Sequence, residues 1–387
     1  MKKQLIILVL IFISLSGLSQ GILIREYYPD QKIKEQYYAK FDGYDTIRNG
    51  WYEYYDPNGF LTQEGKYKNN QLDSIWHIYF PGGRIHKKIE FSNNIKNGSY
   101  TVFYNSGILK QEGQYKNDLL EGKFTSYYEN DSIESESYYQ KGKLYGTTYV
   151  FDPKGIVRSV VEYENGKMNG LWEQFYDNGQ LNYRGTRIND LYQDTLWTYY
   201  KSGQLQRLSV YNNGKLQGIV KGYYVNGSLM NIQTYQNDTL KGFYCEFHPT
   251  GDTLQYGGYI KGKKEGYWKS FYNNGYIYTS GPFENGKYNG HWTAYHLSGL
   301  TKQTGNYTNG SSFGFWQYFT EDGNLKRQGN YAFNNEVGIW EQFDEKGNLI
   351  ARAYYKEGVI QGPVWVYKEG KLYQKTVFFE GKPLFSE

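Results

Sequence analysis

One cysteine, eight prolines and five histidines are spread over 387 residues, and each scarcity removes a class of protein. Cys245 has no second Cys to pair with, so an internal disulfide and a thiolate metal site are both excluded; inside a strand it reads as a small buried hydrophobe. His77, His86, His248, His291 and His296 form no cluster with Asp or Glu at metal-ligand spacing, so no metal and no cofactor is expected. No G-x-S-x-G, Walker loop or H-E-x-x-H is present. Without a positioned acid, base or nucleophile the chain is not expected to be an enzyme. Asp56-Pro57-Asn58-Gly59 lacks the alternating carboxylates of a calcium loop and reads as turn chemistry. The formal charge is +4. Removing Lys2 and Lys3 with a leader segment leaves 4 − 2 = +2, too balanced for electrostatic binding of nucleic acid. Aliphatic residues are thin, which disfavours a two-layer sandwich filled with Val, Ile and Leu.

What the chain has in excess is aromatic residues and glycine, with 45 Tyr, 21 Phe, 9 Trp and 46 Gly. They recur in register every 24 residues, and such a period is the mark of a repeat array. In steps of 24 from Tyr55 to Tyr367 every residue is Phe or Tyr. From Gly59 to Gly347 every residue is Gly except Asp131. From Asn70 to Gly358 only Gly, Asn and Asp occur. The last two series share tolerance of left-handed backbone, which places two tight turns in each unit. Gly266 to Asn289 shows the unit plainly. One aromatic run ends at Asn273-Asn274-Gly275 and a second ends at Asn285-Gly286-Lys287. The expected fold is all-β: an elongated single-sheet β-meander, an array of about fourteen 24-residue β-hairpins. Residues 50–379 carry the array, 21–49 a degenerate N-terminal cap, 380–387 a C-terminal tail, and 1–20 a signal peptide.

Alternation puts Ile277, Thr279, Gly281 and Phe283 on one face of the second strand. Trp268 and Tyr272 share parity on the first strand, with Phe271 opposite. The Gly281 series is otherwise mostly small, with Gly65, Gly113, Gly185, Gly257, Gly305, Gly329, Ser137, Ser209 and Ala353. A glycine inside a strand calls for a bulky neighbour over it, here an aromatic ring. The candidate site is the tryptophan series Trp172, Trp268, Trp292, Trp316 and Trp340. Exposed, such a row stacks on sugars or anchors a partner protein; buried, it is the sheet's own cover. Partner specificity would then reside in the positions that vary between units, such as Glu173, Lys269, Thr293 and Gln317.

At the N-terminus, Lys2 and Lys3 precede the apolar run Leu5 to Ile13, and small polar residues follow. This is the pattern of a secretory signal peptide, and the run is short for a membrane span. A secreted, periplasmic or outer-surface location is expected.

The units resemble the bacterial variant of the MORN repeat, G-x-W-x-x-[YF]-[YF]-x-x-G-x-[LI] followed by a small residue, a Tyr or Phe and an NGK-type turn. Gly170-Leu171-Trp172, Phe175-Tyr176, Gly179, Leu181 and Gly185 carry it in one copy. Gly290, Trp292, Tyr295 and Gly299 carry it in a second, and Gly338, Trp340, Phe343, Gly347 and Leu349 in a third. Thr148, Leu196 and Val220 stand where Trp is expected, and those units are expected to pack less tightly. The resemblance implies a meander of stacked hairpins. It also implies a binding role, mainly toward proteins, otherwise toward membrane lipids, with an antitoxin-like role attached to some bacterial relatives. Together these readings give a non-catalytic secreted or periplasmic scaffold for protein–protein interaction. Glycan binding through the aromatic face and binding of lipid headgroups are the alternatives.

Overall fold

The computed structural model describes residues 21–43 and 45–386; the segment 1–20, read as a signal peptide, lies outside the described residues. Among the described residues there is no helix, and antiparallel hairpins follow one another throughout. The chain divides into two compact units, 1–191 and 192–387. In each of them the long strands pair with the long strands before and after them in sequence, as an open meander of hairpins requires. The all-β hairpin array expected from the 24-residue period is the fold found.

One hairpin shows why the sequence folds this way. Lys263–Phe271 pairs with Ile277–Glu284, with Gly266 opposite Phe283 and Trp268 opposite Gly281. The connecting turn closes with the Gly275 amide donating to the Tyr272 carbonyl at 3.0 Å, and Gly275 takes a φ of +83°. Asp131, the lone departure in this glycine series, adopts φ +66°, a conformation Asp tolerates better than most residues. The second turn, at Asn285 and Gly286, docks backward: the Gly286 amide donates to the Lys264 carbonyl at 2.9 Å. Where Asn or Asp replaces Gly in that series, the dock becomes a two-way clamp. The Asn94 amide donates to the Leu72 carbonyl at 3.0 Å, and the Leu72 amide donates to Asn94 Oδ1 at 2.6 Å.

Each hairpin carries a bulge, and it corrects the expected alternation. Ser270 lies opposite Thr279 but Phe271 lies opposite Ile277, so Tyr278 is an extra residue. Directly opposed residues share a face. Ile277 therefore sits with Phe271, whose ring stacks on Tyr256 at 5.8 Å, and not with Thr279, Gly281 and Phe283.

Tyr28, Tyr104, Tyr128, Tyr200, Tyr224 and Tyr272 each extend past a strand end and donate a hydroxyl hydrogen bond to a carbonyl of the next hairpin, at 2.8–2.9 Å. His296 takes the same place, its Nε2 3.1 Å from the Phe319 carbonyl. The N-terminal lead-in contributes the strands Ile22–Tyr27 and Ile33–Asp42. Its Glu35 pairs at 3.1 Å with Arg48, which stands on the strand Asp45–Tyr55 that runs on into the array. The Arg48 guanidinium lies 4.5 Å from the Tyr37 ring centroid and 5.2 Å from that of Tyr52. The segment after Phe379 holds a further strand, Lys382–Ser386, paired with Lys371–Phe379.

Candidate functional site

The small residues of the second strand are covered by the aromatic residues eleven positions on. A Cβ added to Gly65, Gly257, Gly281, Gly305 or Gly329 would come within 2.1–2.3 Å of the ring of Trp76, Trp268, Trp292, Trp316 or Trp340 respectively. No side chain fits under such a ring, so glycine is dictated by contact and not by turn geometry. Each of these indoles donates Nε1–H to a backbone carbonyl ten residues back; the acceptors are Lys66, Gly258, Pro282, Asn306 and Asn330, at 2.7–3.2 Å. The rings are then clasped edge-to-face by the Tyr or Phe that precedes each Asn/Gly turn. Phe283 meets Trp268 at 5.9 Å and Trp292 at 5.2 Å, and Tyr331 meets Trp316 at 6.0 Å and Trp340 at 5.0 Å.

The candidate tryptophans therefore lie in the ladder that builds the sheet's cover. Trp268, Trp316 and Trp340 are each 2% exposed and Trp292 is 7% exposed. Their ring faces are not free to stack on a ligand. Trp172 is half-buried, stacked on Tyr183 at 5.6 Å with the Arg187 guanidinium 5.0 Å from its centroid. Of the positions without Trp, Leu196 and Val220 are as buried as the indoles, while Thr148 is half-buried. Val220 is 1% exposed over Ser209, itself 2% exposed. The cover is smaller and the residue beneath it larger, so the volume is conserved.

The opposite face has a different character. Its middle row pairs with itself across strands: Glu173 with Arg184 at 3.4 Å, Thr293 with Thr304 at 3.1 Å, Gln317 with Gln328 at 3.1 Å, and Glu341 with Arg352 at 2.7 Å. In the N-terminal unit, phenols donate to carboxylates on this face, Tyr79 to Glu64 at 2.6 Å and Tyr127 to Glu112 at 2.7 Å. Burial, reinforced by the Glu112 carboxylate, pushes the Tyr127 phenol up to about 12. Outside that row stands the series of Tyr267, which sequence reasoning did not single out. In the C-terminal unit Ile219, Phe243, Tyr267, Phe315 and Ile339 occupy this one position of successive hairpins, interrupted by His291, and each is 48–58% exposed. In the N-terminal unit the same series includes the polar Ser99, Lys123 and Thr147. The signal was available in the period itself: a series that tolerates Ser99, Lys123, Thr147 and His291 alongside Trp51, Ile75, Phe243 and Tyr267 is not needed by the ladder, so its apolar members are free for another use.

A recess of about 200 Å³ lies on the aromatic face at Ala294 in the C-terminal unit. Among the described residues no group of three or more His, Cys, Asp or Glu is arranged to hold a metal ion, and no helix is long and apolar enough to cross a membrane.

The MORN repeat variant family matches six segments: residues 96–117, 120–141, 168–189, 216–237, 316–332 and 336–357. No curated protein matches the sequence. Among solved structures, the chain is similar to the crystal structure of TcdB2-TccC3-Cdc42, with 11% identity and a TM-score of 0.16 over 92% of this chain and 24% of that one. The Photorhabdus luminescens Tc holotoxin pore gives 11% identity and a TM-score of 0.16 over 94% of this chain and 26% of that one. The chain thus spans about a quarter of the length of these solved chains, and a likeness at this level says nothing of function. The starts at 96, 120, 168, 216 and 336 differ by multiples of the 24-residue period, so the matched segments share one register with the hairpins between them, and the chain is a MORN repeat protein.

Proposed function

We propose that the protein is a non-catalytic scaffold of the secreted or periplasmic compartment that binds a partner protein along the exposed apolar series of its C-terminal unit. The observation that carries this reading is the row Ile219, Phe243, Tyr267, Phe315 and Ile339, half-exposed at one position of successive hairpins. Burial of apolar surface is the usual driving term of protein association, and a row of large rimmed side chains is the usual mark of an interface. Tyr and Phe are well suited to such anchors because they bring area at low entropic cost. The ladder on the other face already satisfies the fold, so these side chains have no internal task. The N-terminal pattern Met1 to Gly21 supports export, and the lack of any catalytic constellation supports a binding role.

The test replaces Phe243, Tyr267 and Phe315 by residues found in the same series of the N-terminal unit, as F243T, Y267K and F315S. The expected result is a partner captured from the envelope fraction by the native chain and bound at least tenfold more weakly by the triple variant, with the β-sheet circular dichroism unchanged. Equal capture by both, or binding only to protein-free liposomes, overturns the reading.

A further inference from the structure

The recess at Ala294 lies at a position where the array varies: Ser126, Gly222 and Ser270 are also small there, and Tyr54 and Tyr318 carry a ring. One hairpin later the same position is Tyr318, which fills the face: its ring stacks on Trp316 at 6.2 Å and its hydroxyl meets that of Tyr331 at 3.1 Å. At Ala294 the side chain ends at Cβ, and the counterpart of Tyr331 is Tyr307. The floor is made by Ala294 and its two cross-strand neighbours, Thr279 and Gln303. Trp292 and Trp316 form the walls.

Two open rings stand at the ends. Tyr288 is 43% exposed and Tyr278 is 46% exposed. Leu72, Leu120, Leu144, Leu216 and Leu240 hold the place of Tyr288 in five other hairpins, and Tyr192 holds it in a sixth. The Thr279 hydroxyl is engaged by Ser270 at 2.6 Å, but the Gln303 amide makes no hydrogen bond among the described residues. Lys302 is the only charged residue in the lining.

We propose that this recess is a subsite for a single pyranose sugar residue. A volume of about 200 Å³ falls below the roughly 300 Å³ at which drug-sized pockets begin. It exceeds the ~150 Å³ cavity that accepts benzene in another protein. One substituted six-membered ring fits that interval. Aromatic rings at the rim suit the C–H faces of a sugar, and a free amide with a nearby phenol suits its hydroxyls. No carboxylate lines the recess, so it does not repel an acidic sugar and offers nothing to a cation. The subsite lies on the aromatic face, and it stands or falls independently of the protein-binding row on the other face.

The test is ligand-observed NMR with two probes, N-acetylglucosamine as a neutral sugar and glucuronate as an acidic one. Two variants are chosen from residues that the array itself places at these positions. A294Y plugs the recess as Tyr318 does one hairpin on, and Y288L removes the open ring as Leu240 does. Saturable binding of at least one probe, lost in A294Y and at least threefold weaker in Y288L, is the expected result. Preference for glucuronate, abolished by K302A, would assign Lys302 to the sugar carboxylate. Failure of both probes to bind, or equal binding by A294Y, overturns the proposal. The F243T/Y267K/F315S variant should bind the sugar unchanged, which keeps this result separate from that of the partner test.

Discussion

Placing one methyl group at Gly305 tests the ladder directly. A Cβ there would lie 2.1 Å from Cδ2, 2.3 Å from Cε2 and 2.5 Å from Cγ of Trp316. Ordinary contact begins a full ångström further out, so either the ring or the strand must move by about that much. The ring is held in three ways. Its Nε1 donates to the Asn306 carbonyl at 3.1 Å, and Tyr307 and Tyr331 clasp it edge-to-face at 5.0 and 6.0 Å. Overpacking of a well-filled site costs about 1–3 kcal/mol, and displacing the indole loses a hydrogen bond of about 1 kcal/mol net. Gly305→Ala should therefore cost about 2–4 kcal/mol locally, or roughly 30- to 700-fold in amide exchange at tenfold per 1.4 kcal/mol. The natural remedy is in the chain already, since Ala353 sits opposite Val364 at the corresponding place. In a Trp316→Val background, Gly305→Ala should cost less than about 0.5 kcal/mol, a coupling well above the error of a double-mutant cycle. Hydrogen exchange across residues 301–319, measured for the four proteins of the cycle, gives the answer. Less than a tenfold rise on Gly305→Ala, or the same rise with and without Trp316, would refute the account.

Two further outcomes follow from the turns. Asn94→Gly keeps the left-handed backbone of φ +68° but deletes the acceptor for the Leu72 amide, so exchange at Leu72 should quicken by roughly 2- to 13-fold, the equivalent of about 0.5–1.5 kcal/mol; an unchanged rate would show the side chain to be idle. Asp344 accepts from the Asn348 side-chain amide at 3.0 Å and from the backbone amides of Asn348 and Lys346 at 2.7 and 2.9 Å, and these bonds, the Asn348 side chain first, hold its carboxyl below the ordinary range. A carboxylate depressed on folding contributes stability that is present above its unfolded pKa of about 3.9 and fades as pH falls through the lower folded value. Protection of the Asn348 amide should thus survive at pH 5 and fade below about pH 4, and Asp344→Asn should make it independent of pH; loss of protection well above pH 5 would contradict this.

The architecture was legible because a repeat states each rule many times. The Asn70 series announced left-handed turns, and φ is positive at Asn70, Asn94, Asp118, Asp190, Asp238 and Asn334. The covering of Gly281 by a ring was legible because a strand glycine has few other uses, though the ring proved to be Trp292 from the next hairpin and not its own partner Trp268. The fate of the tryptophans was harder to see. Whether an indole row is cover or platform depends on the clasp of Phe283 and Tyr331 and on carbonyls ten residues back, and spacing along one strand does not reveal these. The bulge at Tyr278 was invisible for a similar reason: one extra residue leaves the period intact while turning Ile277 to the other face. The row through Tyr267 and the gap at Ala294 could have been found by asking which side chains the repeat does not require.

The pairing of glycine with tryptophan is uneven along the chain. Four pairs fall in succession at Gly257–Trp268, Gly281–Trp292, Gly305–Trp316 and Gly329–Trp340, whereas the stretch around Thr148 has none. In an array where each hairpin feels mainly its neighbours, order spreads outward from the strongest junctions. The C-terminal run of indoles is thus the stretch expected to hold its order longest as the array is heated.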